Sequence, residues 1–299
     1  MNLSTVFAKM AMLILIMLLG YLCARIGITG PEFNKRVTPL MVTVLLPATI
    51  LNSVLGAPAF QAIEIVDYIL VLTVMVALQM LPAWLLLRTR GEDAGAMRLT
   101  TAFGNVGFVG LPVVAAIFGE EMVFFASLCN IPFNLALYSS SASQLSPEGG
   151  RVRWQDVLNA PVIATLLSIV LLLTRVPVPG VIADTISAVS GVTIPLSMIV
   201  IGTSLGAISV RAALTDWRAY VVSAVRLLVC PLLTWLVLRP FVSGDLLGIP
   251  VLLAACPTAM LVTALCLQYD RSDAFASKCI FINTILSAAT IPLVIWLLF

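Results

Sequence analysis

A chain of 299 residues with 61% apolar and only 10% charged residues, and a mean hydropathy of +1.12, carries too little charge to cover the surface of a soluble domain, where charged side chains ordinarily supply about 25% of positions. Sixteen Lys and Arg nearly balance fourteen Asp and Glu, so nothing points to a nucleic-acid partner, and the lack of any histidine removes the commonest general base and metal ligand. The expected class is an all-α membrane protein with the lipid bilayer as its solvent.

Taken in chain order, apolar runs long enough to span recur at residues 5–27, 33–55, 62–87, 97–118 and 122–144, since about 20 helical residues cross the hydrocarbon. A polar segment at 145–155 follows, and then runs at 156–174, 181–205, 217–238, 245–268 and 274–299. These are continuous apolar runs, not the roughly ten-residue alternation of a barrel, so helices are expected. The connections leave no room for a soluble domain. The first run, with Lys9 ahead of its apolar centre, has some look of a cleaved signal. It is kept as a helix because its loss would spoil the repeat described next. The six cysteines lie scattered in apolar runs without paired spacing and read as small buried hydrophobes.

The two halves echo each other at an offset near half the chain. Phe125-Ala126-Ser127 returns as Phe275-Ala276-Ser277, each after a short acidic turn (Glu120-Glu121; Asp270 to Asp273). Pro82, Trp84 and Arg88 are echoed by Pro231, Trp235 and Arg239, and the Ser53 to Gly56 ending by Ser204 to Gly206. Five helices per unit is an odd number, so the second unit must enter the membrane upside down. The expected architecture is therefore ten transmembrane helices in two inverted five-helix repeats, 1–144 and 156–299, joined by a cytoplasmic loop at 145–155. Charge gives the orientation. Twelve basic residues (Arg25, Lys35, Arg36, Arg88, Arg90, Arg98, Arg151, Arg153, Arg211, Arg218, Arg271, Lys278) fall on one side and three (Lys9, Arg175, Arg239) on the other. The positive-inside bias places the first group in the cytoplasm and both termini outside it, in a multi-pass inner-membrane topology.

Two predicted spans are interrupted at matching places. The fourth reads Gly104-Asn105-Val106-Gly107-Phe108-Val109-Gly110-Leu111-Pro112, and the ninth Ala255-Cys256-Pro257-Thr258, with Thr263 beyond. Proline removes a donor and glycine lets the chain open. Open backbone at membrane depth is tolerated only inside protein or along a wet cavity. The half-helix after such a break offers free N–H groups and partial positive charge to a carboxylate. A lone break is commonly a packing kink; two in matching repeat positions favour a binding site. Arg226, near the middle of the eighth span, has three roles open to it: pairing with substrate, bonding the carbonyls of a neighbouring helix, or snorkelling. Glu64 and Asp67 read as solvated helix-start residues, with proton coupling as the alternative. Asn52, Gln79, Asn130, Asn134 and Asn283 read as interhelical glue. No Walker-type segment occurs, so ATP hydrolysis is not expected, and with no histidine and no paired carboxylates within the spans neither enzymatic chemistry nor a bound cofactor is expected.

Across essentially its whole length the chain resembles the auxin efflux carrier family, in its bacterial branch of malonate/malate-type permeases, within the bile acid/sodium symporter-like superfamily. The residues that carry the resemblance are Val44-Leu45-Leu46-Pro47-Ala48, the Gly104 to Pro112 run, Leu158-Asn159-Ala160-Pro161, Pro195 with Ile201-Gly202-Thr203-Ser204-Leu205, and Ala276-Ser277 with Asn283-Thr284, Ser287 and Ile291-Pro292-Leu293. Ala160 departs from the family's Asn-Pro. The resemblance implies that helices four and nine are broken and cross near the midplane, and that a small carboxylate is the substrate. Carried over by position, it makes Asn105, Gly107, Gly110, Pro112, Pro257 and Thr258 candidate substrate-binding residues, to which Arg226 is added from its place near the middle of a span. A homodimer and proton or sodium coupling fit the resemblance but are left open. The expected function is secondary transport of a small organic anion (malonate, malate or an auxin-like acid) by alternating access. The alternative is a membrane-embedded sensor that binds without translocating.

Overall fold

The computed structural model describes residues 3–55, 62–86, 91, 93–145, 154–208, 213–269 and 271–298. Gly56, Arg88, Arg90, Arg151, Arg153, Arg211, Asp270 and most of the polar 145–155 segment lie outside them. Among the described residues every regular element is helical. This follows from the solvent, because in hydrocarbon a backbone N–H or C=O without an internal partner costs several kcal/mol, roughly, and a helix satisfies its own. Among the described residues six stretches are long and apolar enough to cross a membrane: Ala8–Arg25, Ala62–Leu85, Met122–Leu145, Gly180–Ala207, Trp217–Leu238 and Asp273–Leu298. Val106–Phe118, Ala160–Thr174 and Asp245–Ala255 are shorter apolar helices.

Proline leaves a regular imprint on this helical chain. Among the described residues three five-residue π turns, Met41–Leu45, Val106–Gly110 and Val225–Val229, each end directly before an X-Pro pair: Leu46-Pro47, Leu111-Pro112 and Cys230-Pro231. A proline ring clashes with the carbonyl four residues back and has no hydrogen to offer it. Inserting one residue into the turn relieves the clash and lets the helix go on. The second predicted span is accordingly a continuous helical run, Pro31–Leu40, Met41–Leu45 and Leu46–Asn52. Asn159 also finds a definite role. Its side-chain oxygen accepts from Val162 N at 3.2 Å and caps the Ala160–Thr174 helix, with Ala160-Pro161 as the first helical residues.

The chain packs into two compact units, to each of which both sequence halves contribute. The first comprises Met1–Leu70, Gly107–Asn130 and Leu158–Ala207. Its Leu3–Arg25 and Thr193–Ala207 helices meet through glycines. A Cβ on Gly202 would overlap Met17 O, one on Gly20 would overlap Ile199 O, and one on Gly206 would sit 2.6 Å from Ala24 Cβ. Met41, Leu45 and Val200 form a core covered by Phe33, Val37, Phe108, Val189 and Leu196. Thr49 Oγ1 donates to Thr193 Oγ1 at 2.7 Å, and Thr193 Oγ1 donates to Leu45 O at 3.1 Å. This is the small-residue and hydroxyl packing that membrane helices use where no hydrophobic force separates them from lipid.

The second unit comprises Val71–Val106, Ile131–Val157 and Ile208–Phe299. One of its ends is tied by charge. Arg218 bonds Asp216 in a fork, Nε to Oδ1 at 3.0 Å and Nη2 to Oδ2 at 3.0 Å, and reaches Asp93 with Nη1 at 2.7 Å. Lys278 Nζ adds a contact to Asp216 Oδ2 at 3.3 Å, and the Arg218 guanidinium lies 4.9 Å from the centre of the Phe275 ring. The network joins the start of the Ala94–Ala102 helix, the start of Trp217–Ala224 and the Asp273–Leu298 helix. The Arg218 hydrogen bonds hold the Asp216 carboxyl down at about 2, against an ordinary 3.8. A lowered pKa means that the stabilisation is complete above about pH 4 and is lost as the pH falls towards 2. Thermal melts in detergent are therefore expected to hold steady from pH 7 to about 4 and decline below. Asp216→Asn is expected to remove about 1 kcal/mol at neutral pH, the size usual for a partly exposed network, and to flatten the acid limb. An unchanged acid limb in the variant would show that other carboxyls carry it.

Candidate functional site: a crossing of two interrupted helices

Two helices of the second unit stop within the apolar sequence, and the chain beyond each runs extended. Ala94–Ala102 ends at Phe103 (φ −111, ψ 111), and Asp245–Ala255 ends at Cys256 (φ −63, ψ 145), with Ala259 (φ −65, ψ 129) leading into Met260–Gln268. Pro257 explains the second stop, since it disfavours helical geometry at Cys256 and cannot donate to Leu253 O. The two extended segments pair antiparallel. Gly104 bridges to Thr258, Asn105 N donates to Pro257 O at 2.6 Å, and Ala259 N donates to Phe103 O at 2.9 Å. Each break thus supplies the other with the backbone partners that lipid cannot.

The carbonyls at the helix ends are satisfied separately. In an unbroken helix Thr100, Thr101 and Ala102 would receive the N–H groups of Gly104, Asn105 and Val106. Here Thr258 Oγ1 donates to Thr100 O at 2.7 Å, and Arg226 Nη1 donates to Thr101 O at 3.3 Å and Ala102 O at 3.0 Å. On the other side Arg226 Nη2 donates to Leu253 O at 3.3 Å, the carbonyl that Pro257 cannot serve, and Nε donates to Cys256 O at 2.9 Å. Gln79 Oε1 also accepts from Arg226 Nη1. Asn283 Nδ2 donates to Thr258 Oγ1 at 2.8 Å, while its Oδ1, fully buried, has no hydrogen-bond partner. Gly104 is needed for space, because a Cβ there would overlap Arg226 Nη2.

Of the sequence candidates, Asn105, Pro257, Thr258 and Arg226 come together at this crossing. Asn105 is 5% exposed, and Thr258 and Arg226 are wholly buried. The first break lies at Phe103–Asn105 and includes Gly104 but not the later glycines: Gly107 and Gly110 belong to the π turn Val106–Gly110, and Pro112 to the Leu111–Phe118 helix. These three residues are part of the first unit, where a Cβ on Gly107 would press Leu46 Cδ1 at 3.2 Å. Gln79 and Asn283 join helices as glue residues should, and they also belong to the crossing. Sequence reasoning missed the steric role of Gly104 and the hydroxyl of Thr258 standing in for a helix N–H. A clue lay in the sequence: a small residue and a hydroxyl at the two breaks, with an arginine among apolar neighbours.

A chain of this helical make-up, with several lipid-length apolar helices and a buried polar crossing, is a multi-pass membrane protein. It belongs to the family described as membrane transport protein, which is auxin efflux carrier-like, and the family model matches twice, over residues 5–151 and 148–295. The chain is 30% identical to an uncharacterized transporter of Methanothermobacter thermautotrophicus over 289 residues, covering 94% of each chain. It is 26% identical to an uncharacterized transporter of Methanocaldococcus jannaschii over 300 residues, covering 95% of this chain and 96% of that one.

Proposed function

We propose that this transporter is a secondary carrier of a small organic anion of the carboxylate class, working by alternating access across the inner membrane. The observation that carries the reading is the crossing itself, an antiparallel pairing of two extended breaks through Gly104 and Thr258 in otherwise apolar helices. Such an arrangement costs helix hydrogen bonds and needs a dedicated arginine, which a plain membrane anchor has no reason to keep. After each break a new helical stretch begins, at Val106 and at Met260, and its first N–H groups and positive dipole end suit a carboxylate. The Asn105 side chain and the unpartnered Asn283 Oδ1 would supply the neutral polar contacts. Gly107, Gly110 and Pro112 shape the helical start that follows the first break, and Pro257 and Thr258 keep the second open.

The accompanying architecture is ten spans in two inverted five-helix repeats, 1–144 and 156–299, joined by the 145–155 loop. The double family match, one per half, supports it, as does the basic-residue asymmetry. Both termini then face away from the cytoplasm.

The test is uptake of radiolabelled malonate, malate and indole-3-acetate into proteoliposomes, each with and without sodium. Uptake into vesicles holding no substrate is expected for at least one acid; saturable binding without uptake would favour a sensor instead. Asn105→Ala leaves the Asn105 N to Pro257 O bond in place and removes only the side chain, and Pro257→Ala restores a donor that lets the second break close. Each is expected to cut uptake by at least about tenfold, the effect of one lost buried contact worth about 1.4 kcal/mol. Wild-type uptake in both folded variants would remove the crossing from the transport pathway.

A further inference from the structure

The side chain that most needs explaining is Arg226, a full charge buried among apolar helices. We infer that Arg226 is the positioning residue of the crossing: it holds the carboxy ends of the two interrupted helices in register and does not itself bind the anion. The donors divide between the breaks. Nη1 serves Thr101 O and Ala102 O on one, and Nε and Nη2 serve Cys256 O and Leu253 O on the other. All four are carbonyls that lose their usual partner when the helices unwind, and Gln79 Oε1 adds a fifth neutral acceptor. Each helix carboxy end carries about half a negative charge, so two of them offset about one cation. A guanidinium committed in this way needs no anionic ligand. The helix amino ends that follow the breaks are then left unopposed for a negative guest, which is where the inference rests on the transport reading above. The residue type follows from the geometry. A planar fork spans two chains, whereas the ammonium of lysine gathers its donors at one point and can serve only one break well. The π turn Val225–Val229, forced by Pro231, carries Arg226, and Gly104 leaves the space that its Nη2 fills.

Two perturbations reach the same atoms from opposite sides. Arg226→Met removes every donor at similar volume. Gly104→Ala keeps the charge but places a methyl group on Nη2. Amide hydrogen exchange on the full chain in lipid nanodiscs reads the crossing directly, because Asn105 N and Ala259 N are its cross-strand donors. Both variants are expected to speed exchange in the peptides that contain these amides by at least about tenfold, with little change in the Leu3–Arg25 helix. Arg226→Lys is expected to fall between wild type and Arg226→Met. The Gly104→Ala/Arg226→Met double variant is expected to be no worse than Arg226→Met alone, since both act on one element. If Arg226→Met does not fold, Arg226→Lys and Gly104→Ala carry the same comparison. Unchanged exchange at both amides in the folded variants, or strictly additive effects, would overturn the inference.

A kinetic arm uses radiolabelled malonate in proteoliposomes. A positioning role lowers the maximal rate in Arg226→Lys and leaves KM within about threefold, whereas a direct ligand would raise KM with the maximal rate kept. The latter result would also overturn the inference. Absence of wild-type uptake of any carboxylate would strike the transport reading alone, because the exchange measurement does not depend on it.

Discussion

Gly202→Ala is expected to lower the stability of the folded protein by about 3 kcal/mol, and Gly202→Val to prevent its recovery as a monodisperse species in detergent. The Thr193–Ala207 helix approaches Leu3–Arg25 so closely that a Cβ on Gly202 would overlap Met17 O and lie 2.7 Å from Tyr21 N. Both atoms belong to helix backbone. A side chain in that position can change rotamer, but a helix carbonyl can withdraw only if the whole helix moves. Such a move would also part Gly20 from Ile199 O and Gly206 from Ala24 Cβ, which are neighbouring points of the same seam. The hydroxyl contacts beside them, Thr203 Oγ1 with Thr29 Oγ1 at 3.0 Å and Asn34 Nδ2 with Ser204 Oγ at 2.7 Å, would lengthen together. A thermal melt reads the loss as a fall of roughly 6–12 °C for a chain of this size. Gly191→Ala is the control. It lies in the Gly180–Gly191 helix with nothing within 4 Å of an added Cβ, so it should be neutral or slightly stabilising. Equal melts for Gly202→Ala and Gly191→Ala would show that the two helices have room to separate at no cost.

How much of this was legible beforehand depends on the kind of interaction. Helical spans were legible, because the solvent imposes them on any apolar run of sufficient length. The two breaks were legible from Pro257 and the Gly104 to Pro112 run, although the first opens at Phe103, ahead of most of its glycines. Glycine there marks where another group must approach, and no local pattern reveals which group. Pro47, Pro112 and Pro231 were visible as prolines within apolar runs, but that each would be met by a π turn and not a stop is not written in the local sequence. Gly202 and Gly206 stand four residues apart in an apolar run, a spacing known for close helix pairing, yet the sequence does not say which helix they receive. For Arg226 the sequence left three roles, and the choice among them depended on carbonyls more than a hundred residues away in one case and some thirty in the other. Arg218 and Lys278 counted only as positive charge in the topology argument. Their attachment to Asp93 and Asp216 is a tertiary fact. Long-range polar bonds, then, are where sequence reading ends.

Thr258→Val is expected to lower stability by about 2–5 kcal/mol and to reduce carboxylate uptake by at least about tenfold, although valine has nearly the shape of threonine. The hydroxyl has two bonds and both are long-range. It donates to Thr100 O at 2.7 Å, in place of the helix N–H lost when the chain leaves the helix at Phe103, and it accepts from Asn283 Nδ2 at 2.8 Å. Valine would leave that carbonyl and that amide without partners where Asn283 already has an unpartnered Oδ1 and is fully buried. Each buried group stranded in this way costs about 1–3 kcal/mol. Thr258→Ser keeps the hydroxyl and loses only a methyl group, so it is expected to remain within about 1 kcal/mol of wild type. Asn283→Ala removes the amide itself, and in the double variant with Thr258→Val the losses should be less than the sum by more than about 0.5 kcal/mol, as for any two residues sharing a bond. Thermal melts of the four proteins give the coupling, and proteoliposome uptake shows whether the same bond matters for transport. If valine and serine behave alike, the hydroxyl does not hold the break open, and the second interrupted helix must owe its geometry to Pro257 and Arg226 alone.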